Sequence, residues 1–349
     1  MGFSFKFCSW IIYVLYINFV YSSRIVGNIV GINSNIDYYN YYITNSFINT
    51  ETYCKNINEQ CIINNKNNLV YCEKDRELYL EDNNFIKNKK IISISPGGLK
   101  GFYELGILCY IKDNYNMDNY IFSGASAGAW NALFMCYNKD TKIFVLNLLN
   151  DYKLSQIKNI NELEFFLKYK LLTKFNSNDF DLRRLFIGVT TLKNFRPVTN
   201  IFSEFNSLED AINCCIASSH IPFITGGITN RYHNMYTFDG GFSDYPYLNF
   251  TENVLHITPG MWKKNNQNKN DIFKNFASLN IIIELFLMKK NKNYMEFFDN
   301  GYEDAKCNKD LLDEIFGDKN KHNNDNVIDV YDDNDTNNDD INLSNNNDI

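Results

Sequence analysis

The sequence predicts an α/β protein with a central, mostly parallel sheet and helices packed on it. Three observations predict this. The apolar runs at 91–95 and 120–122 read as short strands, a glycine-rich turn follows each, and a helical pattern follows each turn. Strand, loop, helix, strand, tight turn, helix is the order in which parallel strands alternate with the helices that cover them.

Taken in chain order, the first element is an apolar stretch at 7–21, preceded by Lys6 and followed by Ser22 and Ser23. A basic start, about 15 apolar residues and a small-residue end describe a secretory signal peptide over 1–22, with an uncleaved signal anchor as the alternative. The expected location is the secretory pathway, secreted or membrane-associated. Residues 23–90 are rich in Asn and Tyr and weakly periodic, a partly ordered lead-in with a strand at 26–32.

The main domain is expected over 91–318. After the first glycine turn, Phe102, Leu105, Leu108 and Cys109 mark a helix, and 127–137 is a second, rich in Ala, Leu and Met. Asn161-Glu162-Leu163-Glu164 resembles a capping box, and Leu163, Phe166, Leu167 and Leu171 make a helical stripe, a core face or a lid over a groove. Strands are expected at 185–192, 197–202, 235–238 and 254–257, and helices at 207–217 and 273–289. The tail, 319–349, lacks core-forming residues and reads as disordered.

Composition bounds the function. The chain has 349 residues, 45% hydrophobic, with 28 Phe and 24 Tyr, enough for one large packed domain or two small ones. The net charge is -7, and residues 325–349 alone hold eight aspartates and no Lys or Arg. The body is therefore near neutral and shows no basic stripe, which argues against nucleic acid as a partner. None of the nine cysteines forms a CxxC pair, and no zinc, calcium or other metal site is expected. Cys54, Cys61 and Cys72 are candidates for a disulfide in an oxidising compartment, while Cys109, Cys136, Cys214 and Cys215 sit in apolar contexts as core thiols.

Three motifs carry chemistry. Gly124-Ala125-Ser126-Ala127-Gly128 places a serine between a strand and a helix, where glycines on either side let the two elements approach and backbone amides face a developing oxyanion. Pro96-Gly97-Gly98-Leu99-Lys100-Gly101 is a turn able to present N–H groups to an anion, but it has neither P-loop nor dinucleotide spacing. Asp239-Gly240-Gly241 ends a strand with a carboxylate that no neighbouring side chain shields. A free aspartate, with a pKa of about 3.9, is a poor base for a hydroxyl, so burial must tune it.

In this order the three motifs resemble those of the patatin-like phospholipases. The family has a G-G-G-x-[RK]-G loop, then G-x-S-x-G, then D-G-[GA], and uses a Ser–Asp dyad without histidine. The resemblance implies a three-layer α/β/α fold and makes Ser126 the nucleophile and Asp239 the base. The amides of Gly97 and Gly98 form the oxyanion hole, with Lys100 at the basic loop position. Ser219-His220-Ile221-Pro222-Phe223, Asp239 to Asp244, and Gly301-Tyr302-Glu303-Asp304-Ala305 look like the triacylglycerol-lipase (adiponutrin-like) branch. Coverage is roughly 91–307. Pro96 departs from the family, standing where the first loop glycine is usual, and it has no N–H to give.

The resemblance implies a serine lipid acyl hydrolase, of phospholipase A or acylglycerol lipase type, that needs no cofactor or metal and meets its substrate at a membrane or lipid-droplet surface. Two alternatives stay open. One is a Ser126–Asp239–His256 triad, whose chain order fits an α/β-hydrolase. The other is a non-catalytic lipid-binding protein on a retired scaffold, for which Pro96 is the hint.

Overall fold

The structure is a computed structural model that describes residues 60–193, 196–243, 245–262 and 294–317. The N-terminal apolar run, the strand expected at 26–32, Cys54, the helix expected at 273–289 and the acidic tail lie outside the described residues.

The described chain opens on a hairpin, β1 (Cys61–Asn64) and β2 (Leu69–Cys72), followed by α1 (Arg76–Asp82). The predicted alternation comes next: β3 (Lys90–Ile94), α2 (Gly101–Asn114), β4 (Tyr120–Gly124) and α3 (Ala127–Met135). Then come α4 (Thr141–Leu149), α5 (Ile160–Lys174), β5 (Leu185–Lys193), β6 (Arg196–Ser203) and α6 (Leu208–Ser218). The rest is β7 (Asn230–Tyr232), β8 (Met235–Phe238), β9 (Asn253–Ile257), α7 (Tyr294–Cys307) and α8 (Lys309–Phe316).

The strands join in the order β2-β1-β6-β5-β4-β3-β9, with β8 pairing β5 and β7 pairing β8. The centre of the sheet is parallel: β9, β3, β4 and β5 run together, as do β1 and β6. Antiparallel pairs link β1 to β2, β5 to β6, and β8 to β5 and β7. Side chains alternate across the sheet with period 2. Ile91, Ile121, Phe186 and Ile201 pack on one face with Tyr79 and Leu80 of α1. Ile92, Phe122, Ile187 and Phe202 face the larger core, built with α2, α3, α6 and α7. Helices therefore cover both faces, and the mostly parallel α/β/α architecture is observed.

Local differences from the sequence reading have physical causes. The hairpin at 61–72 belongs to the sheet, β1 lying parallel to β6, although its four-residue strands are too short to show a period. Across that hairpin Cys61 faces Cys72, with the two sulfurs 3.4 Å apart. The capping box sits two residues earlier than expected. Asn159 caps α5 by accepting from the Glu162 N–H at 2.9 Å, so Glu164 has no capping role. α4 was not anticipated; Asp140 caps it by accepting from the Lys142 N–H. Cys109, Cys136, Cys214 and Cys215 are buried as expected, and burial pushes each thiol up.

The Gly301 segment crosses the sheet's first crossover helix. α7 packs on α2 with Gly301 and Gly106 at the crossing, and the Tyr103 hydroxyl donates to Asp304 at 2.6 Å. A Cβ on Gly301 would stand 1.9 Å from the Tyr103 carbonyl oxygen. Because that atom is backbone, the helices would have to separate. Gly301→Ala is expected to destabilise the fold by about 3 kcal/mol in denaturant titration. Gly227→Ala, where a Cβ meets nothing within 4 Å, should stay within about 0.5 kcal/mol of the parent.

Candidate active site

The parallel strands β3 and β4 end side by side, Ile94 opposite Gly124, and their following loops form the site. Ligands in such sheets bind beyond the carboxyl ends of the strands. Ser126 stands between β4 and α3 with φ 54° and ψ -127°, a left-handed conformation that costs a non-glycine residue roughly 1–3 kcal/mol. The surroundings hold it there. A Cβ on Gly124 would fall 2.0 Å from the Gly128 carbonyl oxygen, and one on Gly128 would fall 2.2 Å from that of Ile94. Only glycine at both positions lets strand, turn and helix meet this closely.

Asp239 follows β8, which pairs Phe238 with Thr190 of β5 and so carries the aspartate to the end of β4. Its N–H donates to the His220 carbonyl at 2.7 Å, tying the 219–223 segment to the site. The Ser126 hydroxyl donates to Asp239 Oδ2 at 2.6 Å, and Oδ1 accepts the Gly241 N–H at 2.7 Å. Both residues are buried, 2% and 4% exposed, so water competes little for this bond. Burial raises the Asp239 carboxyl from 3.8 to about 6, against the opposing pull of the Ser126 and Gly241 hydrogen bonds. A base titrating near 6 is ionised at neutral pH yet better matched to a hydroxyl proton than a free aspartate.

The glycine loop lies beside them. Gly97 has φ -139° and Gly98 φ 53°, the latter a conformation that favours glycine. Among the described residues no backbone acceptor takes the Gly97 or Gly98 N–H. Gly101 sits against the start of α3, where an added Cβ would meet that of Ala127 at 2.7 Å. Lys100 is exposed. Pro96 is half-buried, and its ring lies 3.1 Å from where a Gly241 Cβ would be, so it joins the loop to the Asp239 turn. A Gly240 Cβ would stand 2.4 Å from the Gly188 carbonyl oxygen.

Four polar residues that the sequence reading missed support this arrangement or line its cavity. The Ser126 N–H donates to Ser218 Oγ at 2.8 Å, which donates to the Gly188 carbonyl at 2.7 Å, tying the serine turn to β5. Behind the glycine loop, Glu104 is wholly buried and accepts from Ser95 Oγ and from Asn131 Nδ2. Asn131 also donates to the Gly101 carbonyl at 3.0 Å. Burial holds the Glu104 carboxyl well above the usual carboxylate range, against the opposing pull of the Ser95 and Asn131 hydrogen bonds. Glu104 could have been noticed as the one charge in the apolar stretch 102–111; Ser218 and Asn131 carry no such signal. The fourth, Glu164, faces the cavity.

That cavity, about 90 Å³, opens on Ser126 and is lined by Trp130, Phe134, Phe144, Leu163 and Leu171, with Glu164 among them. Leu163 and Leu171 are buried, as the core reading of their stripe expects, and they also line the cavity. His256 stands elsewhere. Its Nδ1 pairs with Ser93 Oγ at 2.7 Å and its ring packs on Tyr247, so the geometry unites Ser126 with Asp239 and not with His256.

Residues 92–249 match the family described as patatin-like phospholipase, a span that contains the glycine loop, Ser126 and Asp239. No curated protein matches the chain. Of solved structures, the crystal structure of VipD from Legionella pneumophila aligns with a TM-score of 0.35 and 12% identity. That alignment covers 78% of this chain and 73% of VipD, a likeness too slight to carry an argument.

Proposed function

We propose, from the premise that residues 92–249 form a patatin-like phospholipase domain, that the protein is a lipid acyl hydrolase working through Ser126 and Asp239. The observation that carries the reading is the buried 2.6 Å hydrogen bond from the Ser126 hydroxyl to Asp239 Oδ2. As Ser126 Oγ bonds to the ester carbonyl carbon, its proton passes to Asp239. The amides of Gly97 and Gly98 receive the oxyanion, and the N-terminus of α3 adds its dipole. The tetrahedral intermediate collapses, the alkoxy bond breaks, and Asp239 returns the proton to the leaving alcohol. Water then attacks the acyl-enzyme with Asp239 as base, releasing the fatty acid and restoring the serine.

The cavity beside Ser126 suits an acyl chain, since all but a few of its lining groups are apolar. A lipid surface is the fitting place of work. On the helices that wall the cavity, Ile143 and Leu146 of α4 and Phe165 and Tyr169 of α5 are exposed to solvent. Among the described residues no helix is long and apolar enough to cross a membrane. Entry into the secretory pathway remains the proposal for the N-terminal segment.

Purified protein is expected to release fatty acid from phospholipid or acylglycerol vesicles in the presence of a chelator. His256→Ala should retain at least about half of that rate, because its ring bonds Ser93. A chelator-sensitive rate, or a rate abolished by His256→Ala, would overturn the dyad reading. The pH profile follows from Asp239, which must be ionised to accept the proton. Activity should rise as pH passes about 6 and level off above it. A profile flat from pH about 5 to 8, in rates measured on one vesicle preparation, would remove Asp239 from that role.

A further inference from the structure

Glu164 is the exception in the cavity. It is 5% exposed, lies on the inner face of α5, and its Oε1 has no hydrogen-bond partner. Burial, reinforced by the nearby charge of Asp239, holds its carboxyl well above the usual range. A carboxyl accepts hydrogen bonds and, when protonated, also donates one, yet among the described residues no group bonds its Oε1. An unmet polar group inside an apolar wall is a cost to the fold that a ligand can relieve. The cavity of about 90 Å³ has room for on the order of six water-sized groups. Glu164 lines the same cavity as Ser126 and stands near enough to Asp239 to feel its charge, so a group it meets there belongs to the molecule presented to Ser126.

We infer that the Glu164 carboxyl is a hydrogen-bonding subsite for a hydroxyl that the substrate carries close to its scissile ester. The inference rests on the hydrolase reading of Ser126 and narrows its substrate class. The hydroxyl has two possible sources, a hydroxylated acyl chain or the free hydroxyl of a glycerol-like leaving group. Such a site rejects the analogue lacking the hydroxyl, because the carboxyl is then left unpaired.

The test compares ethyl decanoate, ethyl β-hydroxydecanoate and hydroxyethyl decanoate on the full chain, its Glu164→Gln and its Glu164→Leu variants. The wild type should favour one hydroxylated ester over ethyl decanoate by roughly tenfold or more in kcat/KM, and the favoured ester identifies the source. Glu164→Gln should keep most of that ratio, and Glu164→Leu should bring it near one. Equal ratios in wild type and Glu164→Leu would overturn the subsite, including the case in which a water alone meets Glu164. If no ester is turned over by folded wild type, the hydrolase reading fails instead. Calorimetry then decides the subsite, with decanoate, β-hydroxydecanoate and ethylene glycol monodecanoate as probes. A hydroxyl preference lost in Glu164→Leu supports it, and equal affinities overturn it.

Discussion

Replacing Asp239 by Asn is expected to lower ester hydrolysis roughly ten-thousandfold while making the protein more stable. The loss follows from geometry. Oδ2 is the atom that receives the Ser126 hydrogen bond, and an amide there cannot accept the proton. The gain follows from the shifted carboxyl. Asp239 titrates near 6 when folded and near 3.8 when free, so between those values the folded chain holds a proton that the unfolded chain has lost. Stability therefore falls as pH rises through this window, by on the order of 3 kcal/mol once the carboxylate is fully ionised. Asn is neutral throughout and removes that cost. Thermal melts at neutral pH should show Asp239→Asn melting several degrees above wild type, the difference shrinking toward pH 4. A variant that is both inactive and unstable would mark Asp239 as a structural residue.

Gly128→Ala is expected to do the reverse, losing activity because the site loses its shape. The added methyl would stand 2.2 Å from the Ile94 carbonyl oxygen and 2.7 Å from that of Ser95. Both atoms are backbone, at the end of β3 and the start of the glycine loop. Relief requires α3 to move away from the strand that also anchors the Ala125 N–H. A destabilisation of about 3–5 kcal/mol and a fall of at least a hundredfold in activity are expected. Denaturant titration beside the hydrolysis assay separates the two effects. A stable, active Gly128→Ala would mean that the serine turn is not held as tightly as its contacts imply.

The meeting of Ser126, Asp239 and the glycine loop was largely legible in the sequence because it depends on local patterns. Glycines two positions either side of Ser126, and a strand before each motif, follow from close approach of backbone to backbone. What could not be read depends on choices between near-equal local signals. Both Asn159 and Asn161 have a glutamate three residues on, and the chain uses Asn159 with Glu162. That choice frees Glu164 from the helix end and turns it into the cavity, a placement that no spacing rule predicts. Ser218 is similar, since a serine at a helix end is ordinary until folding brings it 2.8 Å from the Ser126 N–H. The hairpin at 61–72 escaped notice because it gains its stability from β6, far along the chain.

In the proposed mechanism Pro96 has no N–H to give and the oxyanion falls to the amides of Gly97 and Gly98; whether Ser126 is an activated nucleophile in this setting is the central question. The most direct measurement is covalent labelling of the folded, full-length protein by a fluorophosphonate, with the modified residue mapped by mass spectrometry. Stoichiometric label on Ser126, slowed at least a hundredfold in Asp239→Asn, is the predicted result. Folded wild type that takes no label, or takes it equally well with Asn at 239, would contradict the account.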